Sequence, residues 1–180
     1  MTAAASFRER QAPLKARYEA DPAAAQITIS VRSTTEGDDP MRCRISADAV
    51  EGASWEAGAH PLAGGQGDLP CSGDLLLASL AACQEITLRM VAAAMGIALT
   101  EVQVIVHGDM DFRGTMGVDP ETPVGFQRIR TEVRIVADAP EDRLQRLAQR
   151  AERYCVVAST LRQSPVMELT FQADRPAAVR

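Results

Sequence analysis

Aromatic residues make up only 4% of this 180-residue chain: one tryptophan, two tyrosines and four phenylalanines. Stacking platforms for bases and aromatic ligand boxes are therefore scarce. Positive charge is not in surplus either. Nineteen Lys and Arg face 24 Asp and Glu, and the formal net charge of −5 argues against a nucleic-acid surface. The longest apolar stretch, Leu75 to Cys83, stops at Gln84 and Glu85, too short to span a membrane. The opening stretch MTAAASFRERQAPLKAR has no apolar core ahead of its charges, so it does not read as a secretory signal. The expectation is a cytoplasmic protein whose four cysteines stay free in a reducing compartment.

Several catalytic signatures are missing. The cysteines are spaced 28, 12 and 72 residues apart with no C-x-x-C, which excludes a zinc ribbon and a thioredoxin-like dithiol. His60 and His107 stand in no metal-ligand pairing, and there is no GxSxG, HExxH or GxxxxGK[ST] segment. The glycines of Gly64-Gly65-Gln66-Gly67 lack the lysine of a phosphate cradle. No internal repeat is present.

What is there reads as a single globular domain, with 46% apolar and 24% charged residues. Residues 1–25 suggest a loose helical arm anchored by Phe7, Leu14 and Tyr18, interrupted at Pro13, with a turn at Asp21-Pro22. The domain proper spans 26–180. Alternation predicts strands over 26–32 and 41–47 joined as a hairpin, and a short third strand near 54–57. A helix is predicted over 72–95, with Ser72 as its N-cap and Gly96 as its stop. Its leucines point in nearly every direction, the pattern of a buried central helix needing more cover than one subunit gives. Strands follow within 98–112 and over 126–136, then an amphipathic helix over 140–154, a short helix opened by Cys155, and a closing strand over 166–172. Antiparallel strands interleaved with helices make the fold class α+β.

The candidate chemistry lies with two cysteines. Cys83 sits mid-helix on one face with Leu76, Leu80 and Thr87. A cysteine so placed is either a small buried hydrophobe or a reactive thiol. Gln84 and Glu85 follow it and need partners if buried, and Arg89 stands one turn beyond Glu85. Cys155 falls where one helix ends and another begins, a position where exposed N–H groups lower a thiol pKa.

The stretch SGDLLLASLAACQEITLRMVAAAMGI, followed downstream by AERYCVVASTLRQ, resembles the OsmC/Ohr family of thiol peroxidases. The Leu80-Ala81-Ala82-Cys83 and Cys155–Leu161 motifs carry the resemblance, which spans roughly residues 26–172. It implies an OsmC-like fold: antiparallel sheets around a long buried helix, in an intertwined homodimer. It further implies that Cys83 is the peroxidatic and Cys155 the resolving thiol. The substrate would be an organic hydroperoxide in an oxidative stress response, and the reductant a dithiol such as a lipoylated protein. No cofactor is implied, whether metal, flavin or haem, and neither nucleic acid nor membrane is an expected partner. An acidic residue is usual ten positions before the first cysteine; here that position is Gly73, beside Asp74. The family's activating arginine has no counterpart in the loop before the helix, which leaves Arg42, Arg44 or His60, with Glu85 and Asp74, as candidate supports. The proline after the second cysteine is Val156. These departures mark a divergent member and keep open a small-molecule binding protein on the same fold.

Overall fold

The computed structural model describes residues 3–173. Residues 1–2 and 174–180, the ends of the expected arm and domain, lie outside them. Helix α1 runs over Ala3–Ala20. Pro13 lies inside it and does not interrupt it, contrary to expectation. Asp21 closes the turn by accepting from the Ala23 N–H at 3.1 Å and capping a single 3-10 turn, Pro22–Ala25.

Strands β1 (Val31–Thr35), β2 (Arg42–Ala47) and β3 (Ser54–Gly58) form an antiparallel sheet in that order, with Ser33 opposite Ile45 and Ile45 opposite Trp55. The hairpin is as expected, but its first strand begins at Val31 rather than 26. Ile27 and Ile29, whose alternation suggested the earlier start, are 80% and 74% exposed. Among the described residues nothing covers that edge, so the apolar period has no ladder to join.

Helix α2 spans Ser72–Met95. Its cap is Cys71, not Ser72: the Cys71 sulfur accepts from the Asp74 N–H at 3.5 Å while the Asp74 carboxylate accepts from the Cys71 N–H at 2.9 Å. This is a reciprocal capping box built on a thiol. Gly96 ends the helix at φ 67°, a left-handed turn that favours glycine. The helix is buried along one stripe only, at Leu80, Leu88 and Ala92, where an all-round burial was expected. By length and mean hydropathy (1.5 over its most apolar window) α2 reaches what a membrane span requires, although its uninterrupted apolar run is far shorter. Its buried stripe packs against protein, as a core helix does.

Strands β4 (Leu99–Met110) and β5 (Phe126–Ala137) form a long antiparallel ribbon against α2, joined through the short helix α3 (Phe112–Thr115). The Phe126 ring lies where side chains on Gly108 and Gly73 would stand, with ring atoms 2.5 Å and 3.2 Å from where a Cβ would sit on each. Those two glycines let one aromatic ring tie the ribbon to the first turn of α2. Helix α4 (Glu141–Tyr154) packs on α2, and α5 (Val156–Arg162) follows it after a single residue. The expected closing strand over 166–172 is absent: the segment is without regular structure, with Val166 88% and Phe171 85% exposed. Its alternation, like that of 26–30, finds no neighbouring strand in the single chain.

Candidate functional site: a paired thiol under helix α2

Two apolar clusters line α2. One joins Leu88 and Ala92 to Ile97, Leu147 and Ala151. The other joins Leu80, Cys155 and Ala158, with Cys83, Val106, Ile129 and Val157 packed against it. The second cluster therefore holds both candidate thiols. The amphipathic face of α4 positions them: Leu147 and Ala151 anchor it on α2, so the chain turns at Tyr154 with Cys155 pointing inward. Cys155 is 0% exposed and caps α5, its sulfur accepting from the Ala158 N–H at 3.5 Å.

The turn into α5 brings backbone amides to the other thiol. Burial raises the pKa of Cys83, but hydrogen bonds from the Val157 amide, the Cys155 thiol, the Thr87 hydroxyl and the Val156 amide outweigh it. The net position is below the ordinary thiol value. Cys155 goes the other way. Burial raises it, the Ala158 amide opposes, and its hydrogen bond to Cys83 and the charge there push it further up. The pair therefore loses its first proton at Cys83, and the proton left on Cys155 supports that thiolate. Both cysteines are free thiols. Residues 72 apart in sequence thus pack in one cluster, near enough for each to shift the other's pKa.

The expected supporting residues are elsewhere. Arg42 donates to Asp39 at 3.3 Å, Gln66 at 3.1 Å and Asp68 at 2.6 Å. Arg44 forks onto Glu36 at 2.7 Å and also reaches Glu56 at 2.9 Å. His60 accepts from the Leu62 N–H at 3.1 Å and stacks on Phe112 with ring centroids 4.8 Å apart. Asp74 is held in the capping box, where the Cys71 amide and thiol keep its carboxyl below the usual range. Glu85 pairs with Arg89 at 3.3 Å on the helix surface. None of the five is among the principal hydrogen-bond partners of Cys83. Gln84 buries its Oε1 without a partner among the described residues. At Gly73, where an acidic residue is usual in the family, the Phe126 ring fills the space.

Sequence reasoning missed the contributions of Thr87 and the Val156 and Val157 amides. The signal for Thr87 was available: it stands one helical turn beyond Cys83 on the same face. The amides carried no signal, since any residue type supplies them.

A family model described as OsmC-like protein matches residues 65–170. The chain belongs to the OsmC-like protein family. No curated protein sequence matches it. Among solved structures, an OsmC-like protein from Mycoplasma pneumoniae superposes with a TM-score of 0.63 at 19% identity, covering 77% of this chain and 90% of that one. An OsmC-like protein of unknown function from Vibrio cholerae gives 0.61 at 12% identity over 75% and 94%. An organic hydroperoxide resistance protein from Elizabethkingia anophelis gives 0.54 at 17% identity over 78% and 91%. At these identities the likeness is one of fold: an OsmC-like α+β arrangement of small antiparallel sheets and helices. Within this OsmC-like fold, Cys83 and Cys155 meet beneath α2.

Proposed function

We propose that the protein is a thiol peroxidase that reduces organic hydroperoxides, with Cys83 as the attacking thiol and Cys155 as the resolving one. The observation that carries this is the packing of the two thiols in one cluster, with the pKa of Cys83 below and that of Cys155 above the ordinary value. The Cys83 thiolate attacks the terminal oxygen of ROOH. The O–O bond breaks, the alkoxide leaves and is protonated to the alcohol, and Cys83 becomes a sulfenic acid. The Cys155 sulfur then attacks the Cys83 sulfur, its proton and the hydroxyl leave as water, and a disulfide forms. Two electrons have passed from two thiols to one peroxide. A dithiol, such as a lipoylated protein, restores the pair by exchange. Val156 and Val157 supply through amide dipoles what the family obtains from an arginine.

Assembly as an intertwined homodimer belongs to the same proposal. The uncovered apolar side chains of α2 (Leu76 and Ile86) and of 166–171 are the surfaces a second copy would bury. A cytoplasmic location suits the free thiols.

A second reading, a small-molecule binding protein without peroxidase activity, draws on one observation. Arg42 and Arg44 are committed to Asp68 in the loop before α2, Glu36 in the turn after β1 and Glu56 on β3, and no cation is among the principal partners of Cys83. One experiment separates the two readings: count free thiols and map peptides before and after one equivalent of cumene hydroperoxide. The peroxidase reading expects loss of two thiols and a Cys83–Cys155 bridge. Cys155→Ser should consume one equivalent and then accumulate sulfinic acid at Cys83, and Cys83→Ser should consume none. Unchanged thiols in the wild type would leave the binding reading.

A further inference from the structure

A cavity of about 760 Å³ walled by α1, α2 and α4 begins one helical turn beyond Cys83, within the usual size of small-ligand sites. Thr87, whose hydroxyl helps hold the Cys83 pKa down, is part of its wall. The cavity has a chemical direction, which the helix packing fixes. Arg8 donates to the Ala94 carbonyl at 2.8 Å, and Arg143 donates to the Met95 carbonyl at 2.6 Å. The early part of α1 and the start of α4 are thus pinned at the far end of α2. From there α4 runs back toward Thr87 and ends at Tyr154, next to Cys155. Arg150 and Arg153, in the last turns of α4, therefore stand at the thiol end, and Phe7 stands at the other.

Three cations line this cavity, Lys15, Arg150 and Arg153, and no carboxylate does. None of the three forms an ion pair among the described residues, although the chain carries more acidic than basic residues overall. Arg153 lies over the Tyr154 ring at 5.8 Å. Between Thr87 and Met95 the α2 wall is about 12 Å long at the helical rise of ~1.5 Å per residue, and Met90, Val91 and Ala94 line it. Arg150 and Arg153 therefore make the end nearest the thiol a cationic one.

We propose that this cavity holds an acyl chain with its carboxyl end at Arg150 and Arg153, and that the oxidant it presents to Cys83 is a peroxycarboxylic acid. The proposal rests on the peroxidase reading and names its substrate class. The polarity of the groove selects this class. A hydroperoxide in mid-chain would keep its carboxylate away from the reacting oxygens, whereas a peroxy acid releases its carboxylate at the reacting end. The reaction balances without an added proton: the Cys83 thiolate takes OH from RC(O)O–OH, the O–O bond breaks, and RC(O)O⁻ leaves. Charge thus moves from sulfur to the departing carboxylate, beside Arg150 and Arg153, and stabilising it there accelerates the step.

The test has a binding arm and a reaction arm. With Cys83→Ser protein, the fluorescent probe dansylaminoundecanoic acid should bind at least tenfold more tightly than its methyl ester. Arg150→Ala/Arg153→Ala should erase that ratio, as should raised salt in part. With reactive protein, the rate of Cys83 oxidation by peroxydecanoic acid is divided by that of a free thiol, and likewise for cumene hydroperoxide. The first quotient should exceed the second, and the double variant should lower the first by tenfold or more. Equal binding of acid and ester overturns the proposal. So does a peroxydecanoic quotient no larger than the cumene one, and if cumene hydroperoxide still yields the Cys83–Cys155 bridge, the peroxidase reading survives alone. If neither oxidant outpaces its reaction with a free thiol, both the reading and the substrate fail, even where the acid probe binds.

Discussion

The two halves of this chain are finished to different degrees. From α2 onward, nearly every element contributes to one of two apolar clusters, and eight of the nine buried apolar side chains among the described residues come from there. The first sheet contributes only Ala57. Its strands are held by their ladder and by surface ion pairs such as Arg44–Glu36 and Arg42–Asp68. It joins the second half through contacts such as the His60–Phe112 stack and the capping box at Cys71. The reactive pair and its hydrogen-bond donors belong wholly to the finished half. The match of the OsmC-like family model begins at residue 65, just before that half. Chemistry at Cys83 should therefore answer to α2, α4 and α5 and be indifferent to the sheet's arginines.

The sharpest test of that contrast is packing. Leu147 is 0% exposed at the centre of the cluster that holds α4 on α2. Leu147→Ala should cost about 2–5 kcal/mol in denaturant unfolding. It should also loosen the turn that presents the Val156 and Val157 amides, so Cys83 alkylation at neutral pH should slow in any folded remainder. Ile29→Ala, at an edge 74% exposed in the single chain, should cost little unless a second copy covers it. A large loss at Ile29 that depends on protein concentration would place that edge in an interface.

A smaller effect is expected at Thr87. Cys83 titrates below the ordinary thiol value because its hydrogen bonds outweigh burial. Its alkylation rate should therefore rise at lower pH than that of a model thiol. The same shift stabilises the fold as pH rises past the native pKa, and that contribution is lost as pH falls below it. Thr87→Val removes one donor and should move the alkylation midpoint upward, slowing the reaction severalfold near neutrality. An unchanged profile would leave the amides of α5 and the Cys155 thiol as the cause.

These contrasts also explain what was legible in the sequence. The boundaries of α2 were readable because a long apolar helix and a glycine stop are local signals. So were α4, β4 and β5. Cys83 and Cys155 stood out through their motifs, but their meeting depended on how α4 packs. The shift of β1 and the absence of a strand over 166–172 have one physical cause: a strand needs a neighbour, and alternation alone cannot supply it. The supporting residues were misplaced for a related reason. Arginine type suggested Arg42 and Arg44, yet both had nearer carboxylates in the turn after β1 and the loop before α2. Part of what lowers the Cys83 pKa comes from amides that leave no mark in the sequence.

Arg44→Ala sharpens the comparison further. It unpairs Glu36 and Glu56 at the surface, where screening keeps such pairs weak. Thermal unfolding should shift only slightly, and the alkylation profile of Cys83 should overlay that of the wild type. A clear slowing would mean that the sheet reaches the thiol after all, by way of a second copy.

The smallest effect is expected at the seam between the halves. Cys71 caps α2 with a sulfur that accepts from the Asp74 N–H at 3.5 Å, a long and weak bond, while Asp74 returns a strong one at 2.9 Å. An oxygen accepts at shorter range and is the preferred cap atom. Cys71→Ser should therefore keep the reciprocal pair and stabilise the helix by about a few tenths of a kcal/mol. Asp74, whose carboxyl the cap holds below its usual range, gives stability above its unfolded pKa that is lost as pH falls through the native one. The gain from serine should accordingly shrink in acid, as the protonated carboxyl stops accepting from residue 71 and the box opens. Thiol counting adds a second readout: the variant should lose one titratable thiol and still form the Cys83–Cys155 bridge at the wild-type rate. A slower bridge would draw Cys71 into the redox chemistry and erase the boundary between the halves.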